Sequence, residues 1–419
     1  MEAILEEIPK QGTETVKNGT VDSASALQAY LNSIPISAFP NIRNTPVLEV
    51  QAVDLLRDAM LKLYQKNVSV ALIRDPSAVN SDTSVTATAK FSDRYIGVIS
   101  FTSMVLWCIQ HLQTNNSGYN KTDVKKQSFD GFFSRLDQDP QVKQTKVAEL
   151  AKLFLWDSFF PVHLENDTLF HVLLLLSKHR LKVVPVIERF NSRVISFITQ
   201  NDIIKLLLKS QGLQWFDDIA NSRLSEFQYD TNYHFEREDA AYQVYEDQTV
   251  SEALSVLSEK RVVAVAVVRR NNKELVGSVR DTDISLLLDN DDLLTATKKI
   301  TLEEFIKMNN ENDDNSTDSE TDKPLRINIS SIPRMDSPIV HRETDILQNV
   351  MTKMAETNTE SSFLVDGSCR VVGMITLRDI IVEFAPPCVD SRIDGGGFFE
   401  SALQQTGCHV NNGTIVCDH

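Results

Sequence analysis

Two hydroxyl–acid pairs at one spacing are the residues best placed to do chemistry: Thr199 with Asp202, and Thr376 with Asp379. In each, a short apolar run ends at the threonine and a pair of isoleucines follows the acid. A strand therefore turns into a helix with almost no loop. A hydroxyl at the N-cap and an acid three residues on can each satisfy an orphan N–H of the first turn. The same ionised carboxylate is a strong acceptor for a pair of hydroxyls. Two weaker copies of the phrase exist. Val276-Gly277 to Asp283 keeps the glycine and the acid but has Arg280 at the cap, and Ile96-Gly97 to Ser103 keeps the glycine and a Ser100 cap but has serine for the acid. From Ser103 to Asp202, Asp283 and Asp379 the intervals are 99, 81 and 96 residues. That is a fourfold repeat with uneven insertions, and a repeat of this length outranks any single motif as evidence of architecture.

Other chemistry finds little support. The chain has no Gly-x-x-x-x-Gly-Lys-Ser/Thr, no Gly-x-Gly-x-x-Gly and no His-Glu-x-x-His. Cys408, His409, Cys417 and His419 do not match structural zinc spacings. His171 and His179 are eight residues apart and read as boundary histidines. A net charge of −16 argues against a nucleic-acid partner, because phosphate backbones need clustered cations. The longest apolar runs, Val172–Leu176 and Val262–Val268, are too short to span a bilayer. Met1 is followed by acids rather than a basic, apolar leader. Five scattered cysteines suggest a reducing compartment, so the expectation is an intracellular protein, cytoplasmic or nuclear.

The elements that would position the pairs recur in order. Each unit reads strand–helix–strand–strand–helix, an α+β plan. The second is the clearest: an edge segment Phe160–Leu164, a helix Leu169–Lys178 capped by Asp167, strands Val183–Ile187 and Val194–Ile198, and a helix Ile203–Leu208. Pro185 asks for a strand position with no N–H obligation. The expected divisions are a lead-in and docking segment 1–40, units at 41–112, 146–212, 239–293 and 332–386, and a tail 387–419. Between the units lie a polar linker 113–145, a linker 213–238 and a linker 294–331. The last holds an acidic insert, Asn309–Asp322, that reads as disordered and carries Ser319 among acids as a candidate phosphorylation site. Leu27–Pro40, apolar but broken by Pro35 and Pro40, is expected to dock on a partner rather than form an element of its own.

These units resemble CBS (cystathionine β-synthase) modules, four in tandem over roughly residues 30–386, and the resemblance implies an arrangement as two Bateman pairs. Longer phrases outside the generic module are similar to one branch. They include Leu31-Asn-Ser-Ile-Pro-Ile-Ser-Ala-Phe-Pro40, Asp93-Arg-Tyr-Ile-Gly97, Gly212-Leu-Gln-Trp-Phe-Asp217 and Met374-Ile-Thr-Leu-Arg-Asp-Ile-Ile381. That branch is the plant gamma-type regulatory subunits of the AMP-activated and sucrose-non-fermenting-related protein kinases. It implies a non-catalytic subunit, a catalytic alpha-type kinase partner and a beta-type scaffold partner. It also implies AMP, ADP or ATP as a regulatory ligand, with no cofactor required and neither nucleic acid nor membrane as partner.

The resemblance further implies that the motif acid grips the ribose and that a cation near the middle strand meets phosphate. Carried over residue by residue, this gives Thr199, Asp202, Asp283, Thr376 and Asp379 toward the ribose, and Lys182, Arg180 and Arg261 toward phosphate. Ser69 in the first unit and Glu360 in the fourth depart from the pattern, and an acid there repels phosphate. The cap alone explains each Thr-x-x-Asp and contributes about 0.5–2 kcal/mol, and Arg280 can pair with Asp283 one turn on. Both readings of the motif stand at the level of sequence. So do two other functions: a stand-alone adenosine-ligand sensor, and a purely structural scaffold that binds no nucleotide.

Overall fold

A computed structural model describes residues 23–39, 42, 47–66, 68–74, 95–115, 129–152, 157–179, 181–188, 193–226, 242–289, 296–307, 334–385, 408–411 and 414–417. Four sheets share one plan: a first strand parallel to a second, which is antiparallel to a third. They are β1 (Leu48–Gln51), β2 (Val70–Arg74) and β3 (Tyr95–Ser100), to which β4 (Asp157–Ser158) adds. Then come β5 (Val162–His163), β6 (Val183–Ile187) and β7 (Val194–Thr199). The third has β8 (Gln243–Tyr245), β9 (Ala264–Val268) and β10 (Leu275–Arg280). The fourth has β11 (Val340–His341), β12 (Ser361–Val365) and β13 (Val371–Thr376). A helix joins first strand to second in every unit, as a parallel pair requires, and a closing helix follows the third strand. All four units expected from the repeat are present.

The register shifts once in each unit, at the same place. Ile96, Ile195, Val276 and Val372 are the residues skipped, and the motif position that follows is Gly97, Ser196, Gly277 or Gly373. The bulge explains why the repeat carries a small residue there. At Gly277 the reason is also steric. A Cβ would lie 2.6 Å from Ile306 Cδ1 and 2.8 Å from the Met335 carbonyl oxygen, which accepts a 2.9 Å bond from the Ser278 N–H.

Each sheet is covered on both faces, which is why the middle strands β6 and β9 are buried at every position. One face meets the sheet of the neighbouring unit. Leu72 and Val98 pack with Val183 and Ile187 between units one and two, and Ala266 and Val268 with Phe363 and Met374 between units three and four. The helical face meets helices across the molecule. One core joins units one and three, with Met104 and Cys108 among Leu254 and Leu257, and a second joins two and four, with Leu173 and Ile204 among Met351 and Ile381. Pro185 fits inside β6 because β5 pairs only with Val186 and Ile187, so no neighbour on that side asks it for an N–H.

A second device ties the pairs together, and nothing in the linear sequence announces it. The segment before each unit forms a two-bond antiparallel clip on the start of the partner's first helix. Pro35 bridges Thr168 and Lys146 bridges Leu55; Arg223 bridges Ile346 and Thr301 bridges Thr249. In the first of these, Ile36 N–H donates to Asp167 O at 3.2 Å and Leu169 N–H to Ile34 O at 3.0 Å; the other three repeat the exchange. Units one and two are thus clipped reciprocally, and so are three and four. This exchange, with the shared sheet faces, makes them two Bateman pairs.

Several expectations need correction. Leu27–Pro40 is not held out for a partner: helix Ser23–Ser33 and the short 3-10 turn Ile36–Ala38 bury Leu27, Leu31 and Ile36 against the second unit. Residues 113–145 are not merely a polar linker. Helices Phe129–Gln138 and Pro140–Gln144 carry Phe132, Phe133, Leu136 and Val142 into the core of units one and three. In 213–238, helix Gln214–Ala220 buries Trp215 and Phe216. Asp167 does not cap the helix Leu169–Lys178; Thr168 does, and Asp167 Oδ2 accepts from the His163 N–H at 2.6 Å. The tail includes a hairpin, β14 (Cys408–Asn411) with β15 (Thr414–Cys417). The acidic insert and Ser319 lie outside the described residues.

Gly277→Ala is expected to destabilise the chain by roughly 1–3 kcal/mol, because the Met335 carbonyl cannot retreat without breaking its bond to Ser278. Gly367→Ala, where a Cβ would meet nothing within 4 Å, is expected to stay within about 0.5 kcal/mol. Urea unfolding of both variants against the parent chain checks the pair.

Candidate functional site

At the mouth of each closing helix the backbone makes the same junction. The first helical N–H donates back to the residue just before the middle strand: Phe101 to Ser69, Gln200 to Lys182, Asp281 to Val263 and Leu377 to Glu360. These bonds fix the correspondence between units more firmly than spacing does. The position read as the phosphate cation is held by Ser69, Lys182, Val263 and Glu360. Arg261, expected there in the third unit, lies two residues earlier. It is the left-handed C-cap of helix Val250–Lys260, with φ 54°. Its structural counterpart in the fourth unit is Asn358, also left-handed with φ 51°. Arg180 lies outside the described residues.

The motif acids cap their helices. Asp202 Oδ2 accepts from the Thr199 N–H at 2.9 Å and its hydroxyl at 2.7 Å, while Thr199 Oγ1 accepts from the Asp202 N–H at 3.2 Å. Thr376 and Asp379 repeat this at 2.7, 2.7 and 3.3 Å. In the first unit Ser100 and Ser103 share a 2.8 Å bond, and Ser100 Oγ still accepts the Ser103 N–H at 3.1 Å. In the third unit Asp283 is taken by Arg280. Nη2 reaches Oδ1 at 2.7 Å and Nε reaches Oδ2 at 3.1 Å, with the Arg280 N–H also on Oδ2 at 2.8 Å. Both side chains are largely buried. A carboxylate holding a forked guanidinium and an N–H is satisfied, so Asp283 is withdrawn from the ribose role that the family resemblance gave it.

Lys182 is brought to a meeting point of three units. Its Nζ lies 3.3 Å from Asp281 Oδ2 of the third unit and 3.6 Å from Glu360 Oε2 of the fourth. Asp281 is the most enclosed of the three, and burial, with Glu360 and Asp283 adding to it, pushes its carboxyl up to about 6 even though Lys182 pulls the other way. Close by, Asn201 donates to Asn358 Oδ1, which also accepts from Lys205 Nζ at 3.3 Å. Arg378 Nη2 donates to the Ser177 carbonyl at 3.2 Å. Asp281 is the residue of this junction that sequence reasoning missed. Its signal was an acid at the first helical position, where the other units have Phe101, Gln200 and Leu377.

Chemically, the junction offers one lysine already shared between two carboxylates. A phosphate approaching Lys182 would face Asp281 and Glu360 at the same range, and like charges at a few ångströms in a partly dry site repel strongly. Among the described residues no group of histidine, cysteine and acid side chains is arranged to hold a metal.

The match to a family model agrees with this architecture. The family model for the CBS domain matches residues 164–209, 240–290 and 329–385, which are the second, third and fourth units. The SNF1-related protein kinase regulatory subunit gamma-1 of Arabidopsis thaliana is 27% identical over 374 residues, covering 85% of this chain and 83% of that one. The gamma-1-like regulatory subunit of the same plant is 23% identical over 425 residues, covering 86% and 89%. The crystal structure of protein MJ1225 from Methanocaldococcus jannaschii covers 82% of this chain and 99% of its own, at 14% identity and a TM-score of 0.48. The chain is a multi-CBS-module protein similar to gamma-type regulatory subunits.

The junction gives a pH dependence whose sign follows from Asp281. Its folded carboxyl binds a proton more readily than the unfolded one, so stability falls as pH rises from about 4 through about 6. Asp281→Asn is expected to remove that part of the fall and to gain on the order of 2 kcal/mol over the parent at pH 7.5 relative to pH 4. Urea unfolding at the two pH values, parent beside variant, measures it.

Proposed function

We propose that this chain is a non-catalytic gamma-type regulatory subunit of a SNF1-related, AMP-activated-type protein kinase. In this reading it assembles with a catalytic alpha-type subunit and a beta-type scaffold subunit inside the cell, in cytoplasm or nucleus. The observation that carries the reading is the extent of the likeness. Similarity to gamma-1 runs through 85% of this chain and 83% of that one, more of the chain than the segments matched by the CBS family model make up. A scaffold of this kind acts by favouring one conformation of its partner, by no more than its differential affinity for the two states.

Adenine nucleotides belong to the proposal as ligands that would tune that preference, with Thr199, Asp202, Thr376 and Asp379 toward the ribose. A second reading, a subunit that binds no nucleotide and serves through its surfaces alone, has a specific observation behind it. Lys182, the one cation at the four equivalent positions, is engaged by Asp281 and Glu360.

Co-expression with the alpha-type and beta-type subunits followed by affinity purification tests the assembly; recovery of a stoichiometric three-chain complex is expected, and its absence would overturn the reading. Calorimetric titration of AMP, ADP and ATP separates the two ligand readings. A binding heat lost by at least tenfold in affinity in Asp202→Ala supports the nucleotide role. Heat that is unchanged in both Asp202→Ala and Lys182→Ala rejects these residues as the site, and no heat with any of the three nucleotides leaves the structural subunit.

A further inference from the structure

The fourth unit differs from the other three at one pair of inward positions. In register, β11 sets His341 beside Leu364 where β1 sets Val50 beside Ile73, β5 sets Val162 beside Val186 and β8 sets Val244 beside Val267. Two residues earlier on the middle strand, and so on the same face, Ser362 stands where those units have Ala71, Val184 and Val265. All of these side chains are buried, and the valines and the alanine lie in the helical cores. An apolar pair is thus replaced by a histidine and a serine that must satisfy each other. Ser362 Oγ donates to the Ile339 carbonyl at 3.2 Å and lies 2.7 Å from His341 Nδ1. With the hydroxyl proton committed to Ile339, Nδ1 carries the proton of the neutral ring, and an added proton falls on Nε2. The strand has little else to anchor it, since β11 is two residues long and its other residue, Val340, is exposed. The residues that follow receive the clip from the segment before the third unit. Leu224 N–H donates to Asp345 O and Ser225 N–H to Glu343 O, each at 2.9 Å, and Leu347 N–H donates to Ser222 O at 3.1 Å.

We propose that His341 and Ser362 are a proton-operated release of the fourth unit: when His341 takes up a proton, β11 and the clip at Arg223–Ile346 open, while the first and third units stay closed. A neutral imidazole is satisfied where it lies, but an imidazolium there is a charge set among apolar side chains. The groups that face it do not offset that cost. Asp345, on the turn after β11, favours the charged ring, yet its Oδ2 already accepts from the Arg342 N–H at 2.9 Å. Lys353, on helix Leu347–Thr357, opposes the charged ring. Burial is the largest influence and holds the histidine below its ordinary value. This share of the stability is therefore present above a pH of about 6.5 and is lost as pH falls through the folded value. Asp281 has the opposite sign, its share being lost as pH rises. Acid thus acts on the fourth unit in the sense contrary to its action at the ion cluster.

The test is hydrogen–deuterium exchange of the full chain at pH 7.5 and pH 5.0, read by mass spectrometry and corrected for the intrinsic effect of pH on amide exchange. Protection over residues 339–347 and 222–226 is expected to fall in acid by about five- to thirtyfold, the upper figure being the limit for one proton taken up at an ordinary histidine value of about 6.5. Residues 48–56 and 243–250, the corresponding segments of the first and third units, contain no histidine and are expected to change by less than about twofold. The variant His341→Val with Ser362→Ala restores the pair found in the first unit and is expected to abolish the fall. His341→Gln keeps a polar side chain that does not titrate, and is expected to abolish it too, so either variant suffices. Protection of 339–347 that is unchanged by acid in the parent would overturn the proposal. So would an equal fall in both variants, or a fall shared by the first and third units.

Discussion

Everything in this molecule follows from the fact that one strand–helix–strand–strand–helix unit cannot cover itself. A three-stranded sheet has two apolar faces, and its own two helices shield only one. The middle strands make the demand plain: Val183-Val-Pro-Val-Ile187 and Ala264-Val-Ala-Val-Val268 are buried throughout. At about 25 cal/mol per Å² of apolar surface, leaving such a face wet would cost more than the marginal stability of a small domain. Sheet therefore closes on sheet within a pair, helices close on helices between pairs, and four units share interfaces that none could complete alone.

The clips are the corollary. A helix start leaves N–H groups without intrahelical partners, and each first helix receives a donor–acceptor exchange from the lead-in of the neighbouring unit. Because Pro35 serves Thr168 while Lys146 serves Leu55, neither member of the pair is finished without the other. The apolar residues beside each bridge, such as Ile34 and Ile36, carry the clip into the partner's core. The lead-in is thus structural, a part of the pair it precedes.

Much of this was legible in the sequence, and the exceptions share a cause. The strand-to-helix phrases, the bulge glycines and the caps are local signals, so the fourfold plan could be read from Ile96 to Asp379. The clips could not, since a two-residue bridge leaves no periodicity. Residues 113–145 were misjudged because short amphipathic helices dilute their apolar residues among polar ones; Phe132 and Leu136 are one turn apart on a face that meets the core, yet their neighbours set the average. The site was legible in part. Thr199–Asp202, Thr376–Asp379 and the Arg280–Asp283 pair stand where the motif places them. Lys182 was visible as a cation but not its partners, because Asp281 and Glu360 reach it from units 99 and 178 residues farther along.

That meeting point is where the architecture and the chemistry converge. The family resemblance implies positive charge at the position before the middle strand. Here the same backbone geometry supplies hydroxyl, lysine, valine and glutamate, and the charge is balanced within the chain. Lys182 in the second unit holds acids from the third and fourth, so the ion cluster crosses from one Bateman pair to the other. Burial raises the Asp281 carboxyl while Lys182 opposes that rise, so its proton affinity depends on how the two pairs sit against each other. A ligand or partner that shifts one pair against the other would therefore alter the charge balance of this cluster. Any coupling between the two halves has a physical route through Lys182, whether or not a nucleotide is what drives it.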